Sequence, residues 1–442
     1  MNRKLLKDIC KNISSGLTPL RSNERYWNSQ DIPWVKTEQL GVKHIYDSNE
    51  KISQYALEDT SIKINPVNTI SIAMYGEGKT RGRVSILKKE MASNQACCNI
   101  VINDKEANYE YVYYFLKSQY KQIRALSSGV RKNLNSDNIK NLEIFLPSKR
   151  SYQNDVAEIL SEIDRKIEIN KKINSELEAT AKLIYDYWFV QFDFPDENGK
   201  PYKSSGGKMV YNEKLNREVP DDWVACAISE WFTSEKSGDW GKESAQDNYT
   251  LEVACIRGAD IGGLNGEGEE KAPIRYIHKN NKDKILSNFD MVIEISGGSP
   301  TQSTGRIAAI TPELINRFRH PLICSNFCKV ISMKDSNYFY NFFYQWKSFY
   351  KSGLFFKWEG KTSGIKNLLF ENFIDIYKTT KPPKEIARNF NKLILPLEVK
   401  RQTLLDEITE LKSLRDWLLP MLMNGQVTVS EERMKSLSKS NK

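Results

Sequence analysis

The sequence predicts an α+β protein built as two copies of one unit, each a mixed α/β module followed by a long amphipathic helix. Two observations predict it: an internal repeat at an offset of roughly 230 residues and two long segments with heptad-like apolar spacing. The chain has 442 residues, 40% of them hydrophobic and 11% aromatic, which suits two or three domains with proper cores.

The repeat is read from ordered matches. The segment SIAMYGEGKTRGRVSIL (71–87) has a counterpart in EISGGSPTQSTGRIAAI (294–310). In both, a β-rich run leads through a Gly/Ser/Thr-rich loop to Gly-Arg and a second β-rich run, so Gly82-Arg83 answers to Gly305-Arg306. Ser93-Asn94 with Cys97 answers to Ser325-Asn326 with Cys328. An aromatic helix-like stretch follows in each copy, YEYVYYFLKSQY (109–120) and YFYNFFYQWKSFY (338–350). Then SSGVRKNLNSDNIKNLEIFLP (127–147) stands against TSGIKNLLFENFIDIYKTTKPP (362–383), pairing Gly129 with Gly364 and Leu134 with Leu368.

Each copy ends in a periodic segment, 152–191 and 384–422. In the first, Ile159, Ile163, Ile167, Asn170, Asn174, Leu177, Ala181, Ile184 and Trp188 recur at steps of three and four. The second carries Ile394, Leu397, Leu404, Leu405, Ile408, Leu411, Leu414, Trp417 and Leu418 on a comparable face. Two equivalent helices closing a duplicated unit are expected to pair antiparallel about a pseudo-twofold axis. At 1.5 Å per residue, 38–40 residues span roughly 57–60 Å, enough to act as a ruler between two modules. Asn170 and Asn174 on the seam would weaken a coiled coil but set its register. Pro396 is expected to kink the second helix or mark its true start.

Residues 1–150 hold 24 Lys and Arg against 15 Asp and Glu, so the whole net charge of +9 resides there; residues 223–381 hold 20 against 18. A basic module points to a polyanion, because Lys and Arg replace counterions on phosphates. The apolar runs fall short of the ~18 residues that span a bilayer. The charged start MNRKLLKDICKNISSG has no signal-peptide core, and seven cysteines without a Cys-x-x-Cys pair suit a reducing compartment. A cytoplasmic protein with no membrane partner is expected.

Three loops are candidates for contact with double-stranded DNA. The hairpin around Gly76–Arg83 offers Tyr75, Lys79, Thr80, Arg81 and Arg83, cations placed among glycines where arginine can reach phosphates or guanine O6 and N7. A plain hairpin with solvated charges would read the same. It lacks the Gly-Lys-Ser/Thr ending of a phosphate-binding P-loop. Its counterpart keeps one cation, Arg306, with Gln302, Ser303 and Thr304, so the two loops are expected to read different sequences. A second loop carries Arg131, Lys132 and Asn133, echoed by Lys361 and Lys366; hydroxyls, backbone N–H groups and cations there suit phosphate, and equally a helix cap. The third has Asn94 and Gln95, amides able to pair with adenine, though a turn-forming Asn is the commoner role.

Catalytic patterns are absent from the reading. His44, His278 and His320 have no ligand spacing, and Cys324 and Cys328 lack a second pair for zinc. No Asp/Asn-Pro-Pro-Tyr/Phe of the amino-methyltransferases occurs. Pro195-Asp196 and Pro220-Asp221 are not followed by the Asp/Glu-x-Lys of metal-dependent nucleases. Catalysis by this chain, and metal binding, are not expected. The rival readings are a DNA-modifying enzyme with an atypical site and a duplicated scaffold without base readout.

The whole chain resembles the specificity subunit of type I restriction–modification enzymes. Ser15-Gly16-Leu17-Thr18-Pro19, Trp27 and Asp31-Ile32-Pro33-Trp34 look like the start of a target recognition domain, and Ala73–Gly82 like its central hairpin. QNDVAEILSEIDRKIEINKKINSELEATAKLIYDYWFVQF (153–192) resembles the central conserved helix and LRDWLLPMLMNGQVTV (414–429) the C-terminal ending. The resemblance implies two target recognition domains with twisted, partly barrel-like sheets, at 1–150 and 223–383. It implies conserved coiled-coil helices at 151–192 and 384–430, a linker at 193–222, hairpin-like, and a flexible tail at 431–442. It implies a non-catalytic subunit whose domains each read half of a bipartite site, while the helices set the gap and dock two methyltransferase subunits. S-adenosylmethionine, ATP and Mg2+ would belong to those and to the restriction subunits. Arg388-Asn389 stands where the first copy has Gln153-Asn154, a departure at the second partner contact.

Overall fold

The computed structural model describes residues 2–76, 78–126, 133–362 and 364–427. The chain divides into two units, residues 1–167 with 410–442, and residues 168–409.

In the first unit, five strands lie in the order Cys10–Ser15, Cys97–Ile102, Ile70–Ala73, Val84–Leu87, His44–Ile45, antiparallel except for the last pair. A second sheet runs Glu50–Ile52, Ile32–Val35, Ala92–Ser93, its last pair parallel. A short pair joins Asn2–Leu5 to Glu143–Leu146. Runs such as Ile-Ser-Ile-Ala and Val-Ser-Ile-Leu form strands because their branched side chains pack on both faces of a covered sheet. Ile70, Ile72, Ile86 and Ile100 are fully buried, each worth about 1.5–3 kcal/mol of transfer free energy. They pack with Tyr111, Tyr114 and Phe115 of the helix Tyr109–Ser118. Asn108 starts that helix, its side chain accepting from the N–H groups of Glu110 and Tyr111 at 2.8 and 3.1 Å.

The second unit repeats this topology. Four antiparallel strands follow the order Phe232–Ser237, Cys328–Met333, Asp290–Glu294, Ile307–Ile310. Three more run Ile274–His278, Tyr249–Ile256, Leu322–Cys324, again with a parallel final pair. Val224–Ala227 pairs with Lys378–Lys381 as the N-terminal strand does in the first unit. Phe342, Phe343 and Trp346 of the helix Phe339–Lys351 fill the core against Met291, Ile293 and Ile307. Between modules, Met209–Asn212 and Arg217–Pro220 form an antiparallel hairpin.

Hydrogen bonds establish the register of the repeat. Gly82 N–H donates to Ala73 O at 2.8 Å and Gly305 N–H to Glu294 O at 2.9 Å. Leu134 N–H reaches Met74 O and Leu368 N–H reaches Ile295 O. The pairings of Gly82 with Gly305, Arg83 with Arg306 and Leu134 with Leu368 therefore hold, while Gly129 lies outside the described residues. One pairing shifts. Asn94 N–H donates to Val35 O, and it is Ser325 N–H that donates to Ile256 O. Asn94 thus corresponds to Ser325 and Gln95 to Asn326, because the cysteine three residues on sets the turn in both.

The long helices are Arg150–Tyr185, continued by a π turn at Asp186–Val190, and Lys384–Met423. They run antiparallel within each unit. In the first, Tyr152 donates to Val427 O and Arg415 pairs with Asp164; in the second, Asn170 contacts Glu407, Asn174 contacts Arg401 and Tyr185 packs on Phe390. Pro396 neither starts nor interrupts the second helix. Pro396 has no N–H to give the Lys392 carbonyl, and both residues lie on the exposed face of the helix. The apolar face is also narrower than its spacing suggests. Leu414 and Trp417 are exposed, and the packed face there runs through Leu418, Leu419 and Leu422.

Candidate nucleic-acid interface

In the first module the predicted loops converge at one end of the main sheet. Met74 N–H donates to Ala96 O at 2.8 Å and Leu134 N–H to Met74 O at 3.1 Å, which sets the hairpin loop beside the turn of Asn94 and Gln95 and the segment starting at Asn133. The Thr18 hydroxyl donates to Gln95 Oε1, bringing in the loop after Gly16. Gly16 is required there, since a Cβ would lie 2.1 Å from Ser93 O. Gly82 has φ +85°, which favours glycine.

The short helix Tyr120–Ala125 braces the hairpin: Tyr120 donates to Lys79 O at 2.7 Å and Arg124 Nη1 to Arg81 O at 3.1 Å. Tyr75 and Lys79 are left exposed, with Thr80, Arg81 and Arg83 half-buried beside them. The Arg83 side chain lies over Gly41, where a Cβ would sit 2.9 Å from Cδ. Arg131 and Lys132 lie outside the described residues.

Two neighbouring cations were not singled out from the sequence. Arg21 stacks over Trp27 at 3.7 Å and Trp34 at 4.9 Å, and Lys36 bridges Glu38 at 2.9 Å and Glu50 at 2.5 Å. Those hydrogen bonds hold the Lys36 ammonium above its ordinary pKa. No spacing signal marks either residue; both depend on strands paired across the fold.

The second module uses the same loops differently. Gln302 is exposed, but Ser303 and Thr304 are buried. Thr304 donates its N–H and hydroxyl to Glu359 Oε1 at 2.6 and 3.0 Å, and Lys366 donates to Gln302 O at 3.2 Å while pairing with Glu359 at 3.4 Å. Thr304 therefore secures the loop, because the adjoining strand supplies a buried carboxylate that needs donors, and Ser303 is buried beside it, so neither faces outward as expected. Lys361 lies opposite Lys366 in the strand pair Glu359–Thr362 and Ile365–Leu368.

Arg306 is held by Glu294, Nε to Oε2 at 2.7 Å and Nη2 to Oε1 at 2.6 Å, which raises its pKa further. It lines a groove of about 650 Å³ together with Trp240, Arg257, Glu294, Asn326 and Phe327. Trp240, Arg257 and Phe327 had no marker in the sequence.

Burial pushes Cys324 up to about 12 and Cys328 well above its ordinary value, so both stay protonated. Among the described residues no helix is long and apolar enough to cross a membrane.

Comparison with known proteins agrees with this architecture. Residues 1–179 match the family model of the type I restriction modification DNA specificity domain. The chain is 26% identical over 439 residues to the type I restriction enzyme MjaIX specificity subunit of Methanocaldococcus jannaschii, covering 97% of this chain and 94% of that one. A putative type I specificity subunit of Mycoplasma genitalium is 33% identical over 254 residues, 50% of this chain and 65% of the other. The crystal structure of the type I restriction–modification S subunit from M. genitalium shares the fold, with a TM-score of 0.58 at 18% identity over 95% of both chains. With a module built twice on one topology and two long antiparallel helices, the chain is similar from end to end to a type I restriction enzyme specificity subunit.

Proposed function

We propose that the chain is the non-catalytic DNA specificity subunit of a type I restriction–modification complex, its two modules each reading one half of a bipartite DNA site. One observation carries the reading: a shared frame presents the same loops twice with unlike chemistry. The first module offers exposed Lys79 and Tyr75 with Arg81 and Arg83 beside them. The second offers a carboxylate-held arginine and a groove rimmed by Trp240 and Phe327. An asymmetric split site requires unlike reading surfaces of this kind, with phosphate contacts positioning and base contacts specifying.

The long helices set the gap between the half-sites and dock two methyltransferase subunits, to which restriction subunits add. S-adenosylmethionine, ATP and Mg2+ are bound by those partners, in the cytoplasm. Selection of random duplex DNA on the full chain is expected to return two unrelated half-sites with a fixed non-specific gap. Exchanging residues 1–150 for another module should alter one half alone. Methyl transfer by the purified chain, or selection without a split motif, overturns the reading in favour of an enzyme or a plain scaffold.

A further inference from the structure

Two arginines on the groove of the second module are each clamped by a buried carboxylate. Arg257 donates Nε to Asp260 Oδ2 at 2.8 Å and Nη2 to Oδ1 at 2.9 Å, and Nη2 also reaches Lys271 O at 2.9 Å. Arg306 is clamped in the same way by Glu294. Asp260 and Glu294 are 1% and 3% exposed, so neither can leave its arginine without being stranded as a buried charge. Space for the Glu294 carboxylate exists because residue 258 is glycine: a Cβ there would sit 2.4 Å from Oε1.

In both guanidinium groups the Nε–Nη2 edge is occupied. Among the described residues Nη1 of each has no hydrogen-bond partner, and Nη2 of Arg306 keeps its second proton. The outer edge of Arg306 is therefore a fixed two-donor fork, and Arg257 adds a second donor set on the same groove. Two acceptors side by side on one planar edge match that fork, and among base edges in the major groove guanine O6 and N7 provide them. Clamping removes the rotamer entropy that a free arginine would lose on binding.

Among the described residues the first module has no such clamp. Ala73 occupies the position of Glu294, as the matched hydrogen bonds to Gly82 and Gly305 show, and Lys36 follows Val35 where Arg257 follows Ile256. The device is particular to the second module.

We propose that this groove is the guanine-reading site of the second module, with Arg306 and Arg257 as the readers and Glu294 and Asp260 as positioning residues. The proposal rests on the specificity reading above. Its test is selection of random duplex DNA on the full chain, followed by binding of the selected duplex with guanines of each half replaced singly by 7-deazaguanine, which lacks N7. The expected result is a G·C pair in one half-site whose 7-deaza replacement weakens binding on the order of 5- to 150-fold.

Arg306→Lys keeps the charge and loses the fork, so it should abolish preference at that position and make binding indifferent to the replacement. Glu294→Gln should relax the same position while leaving the other half-site unchanged. Thermal melting of each variant within a few degrees of the parent excludes misfolding as the cause. A split motif that contains no guanine sensitive to Arg306→Lys or Arg257→Lys overturns this inference and leaves the specificity reading standing. Selection with no split motif overturns both.

Discussion

The Tyr114 hydroxyl donates a 2.6 Å hydrogen bond to Asp164, tying the aromatic helix of the first module to the long helix that follows it. The second unit repeats the tie, with Tyr344 donating to Glu398. Both carboxylates are buried and both are charge-paired, Asp164 with Arg415 at 2.8 Å and Glu398 with Arg401 at 2.8 Å. Burial works to raise Asp164, yet Lys117, Tyr114 and Arg415 outweigh it and hold the carboxyl below its usual range. Each module is thus pinned to its helix pair by a polar group that water cannot replace.

Removing one pin should be costly. Tyr114→Phe leaves Asp164 short of one donor in a dry site, and hydrogen bonds to charged groups contribute about 1.5–3 kcal/mol. Urea unfolding of the variant should show a loss of that order, and Tyr344→Phe a comparable one. A change under about 0.5 kcal/mol, the level of ordinary surface substitutions, would remove the pins from the account of stability.

His44 predicts an acid-side dependence. Burial, with Lys43 and Lys88 adding repulsion, pushes its pKa down to about 4, and its Nε2 is buried with no hydrogen-bond partner among the described residues. The unfolded chain takes up this proton near the ordinary value of about 6.5. Between those values the unfolded state holds a proton the folded state refuses, so the histidine's contribution is intact above about 6.5 and is lost as pH falls to about 4. His44→Gln should therefore lose less stability than the parent between pH 7 and pH 4.5 in matched urea titrations. Parallel curves for the two proteins would contradict it.

Gly16 and Gly238 occupy matching close approaches, where a Cβ would stand 2.1 Å from Ser93 O and 2.1 Å from Ser325 O. Backbone oxygens cannot rotate away, so Gly16→Ala and Gly238→Ala must displace the reading loops. Each should cost about 1–3 kcal/mol by overpacking. In DNA selection, each should blur its own half-site and spare the other. Blurring of both halves by either substitution would count against independent modules.

How much of this was legible beforehand follows from the range of each signal. Periodicity is local, so the two helices and the seam amides Asn170 and Asn174, both 5% exposed, could be read directly. The repeat survives because glycines such as Gly82 and Gly305 answer to backbone geometry, which the two copies share. Pairings across the fold leave no such trace. Nothing near Arg306 in the sequence announces Glu294 as its clamp, and Arg257 finds Asp260 only because a turn closes there. Thr304 looks like a free hydroxyl until Glu359 arrives from a strand more than fifty residues away. The shift of Asn94 onto Ser325 has the same origin, since residue identity pointed one way and backbone hydrogen bonding the other.

The helices offer the most direct test of the proposed division of labour. Asn174 Nδ2 donates to Arg401 O and Asn170 Nδ2 to Glu407, each at 2.8 Å, so the pair has one favoured register and resists sliding. A seven-residue insertion between 167 and 168, matched by one between 409 and 410, keeps the apolar seam in phase. It lengthens each helix by about 10.5 Å. At about 3.4 Å per base pair, that is about three base pairs of DNA. Selection on the doubly extended chain should return the parental half-sites separated by a gap about three base pairs longer. Extending one helix alone breaks the seam and should lower stability instead. If the matched insertion leaves the gap unchanged while the protein stays folded, the helices do not measure, and the spacing must come from elsewhere in the complex.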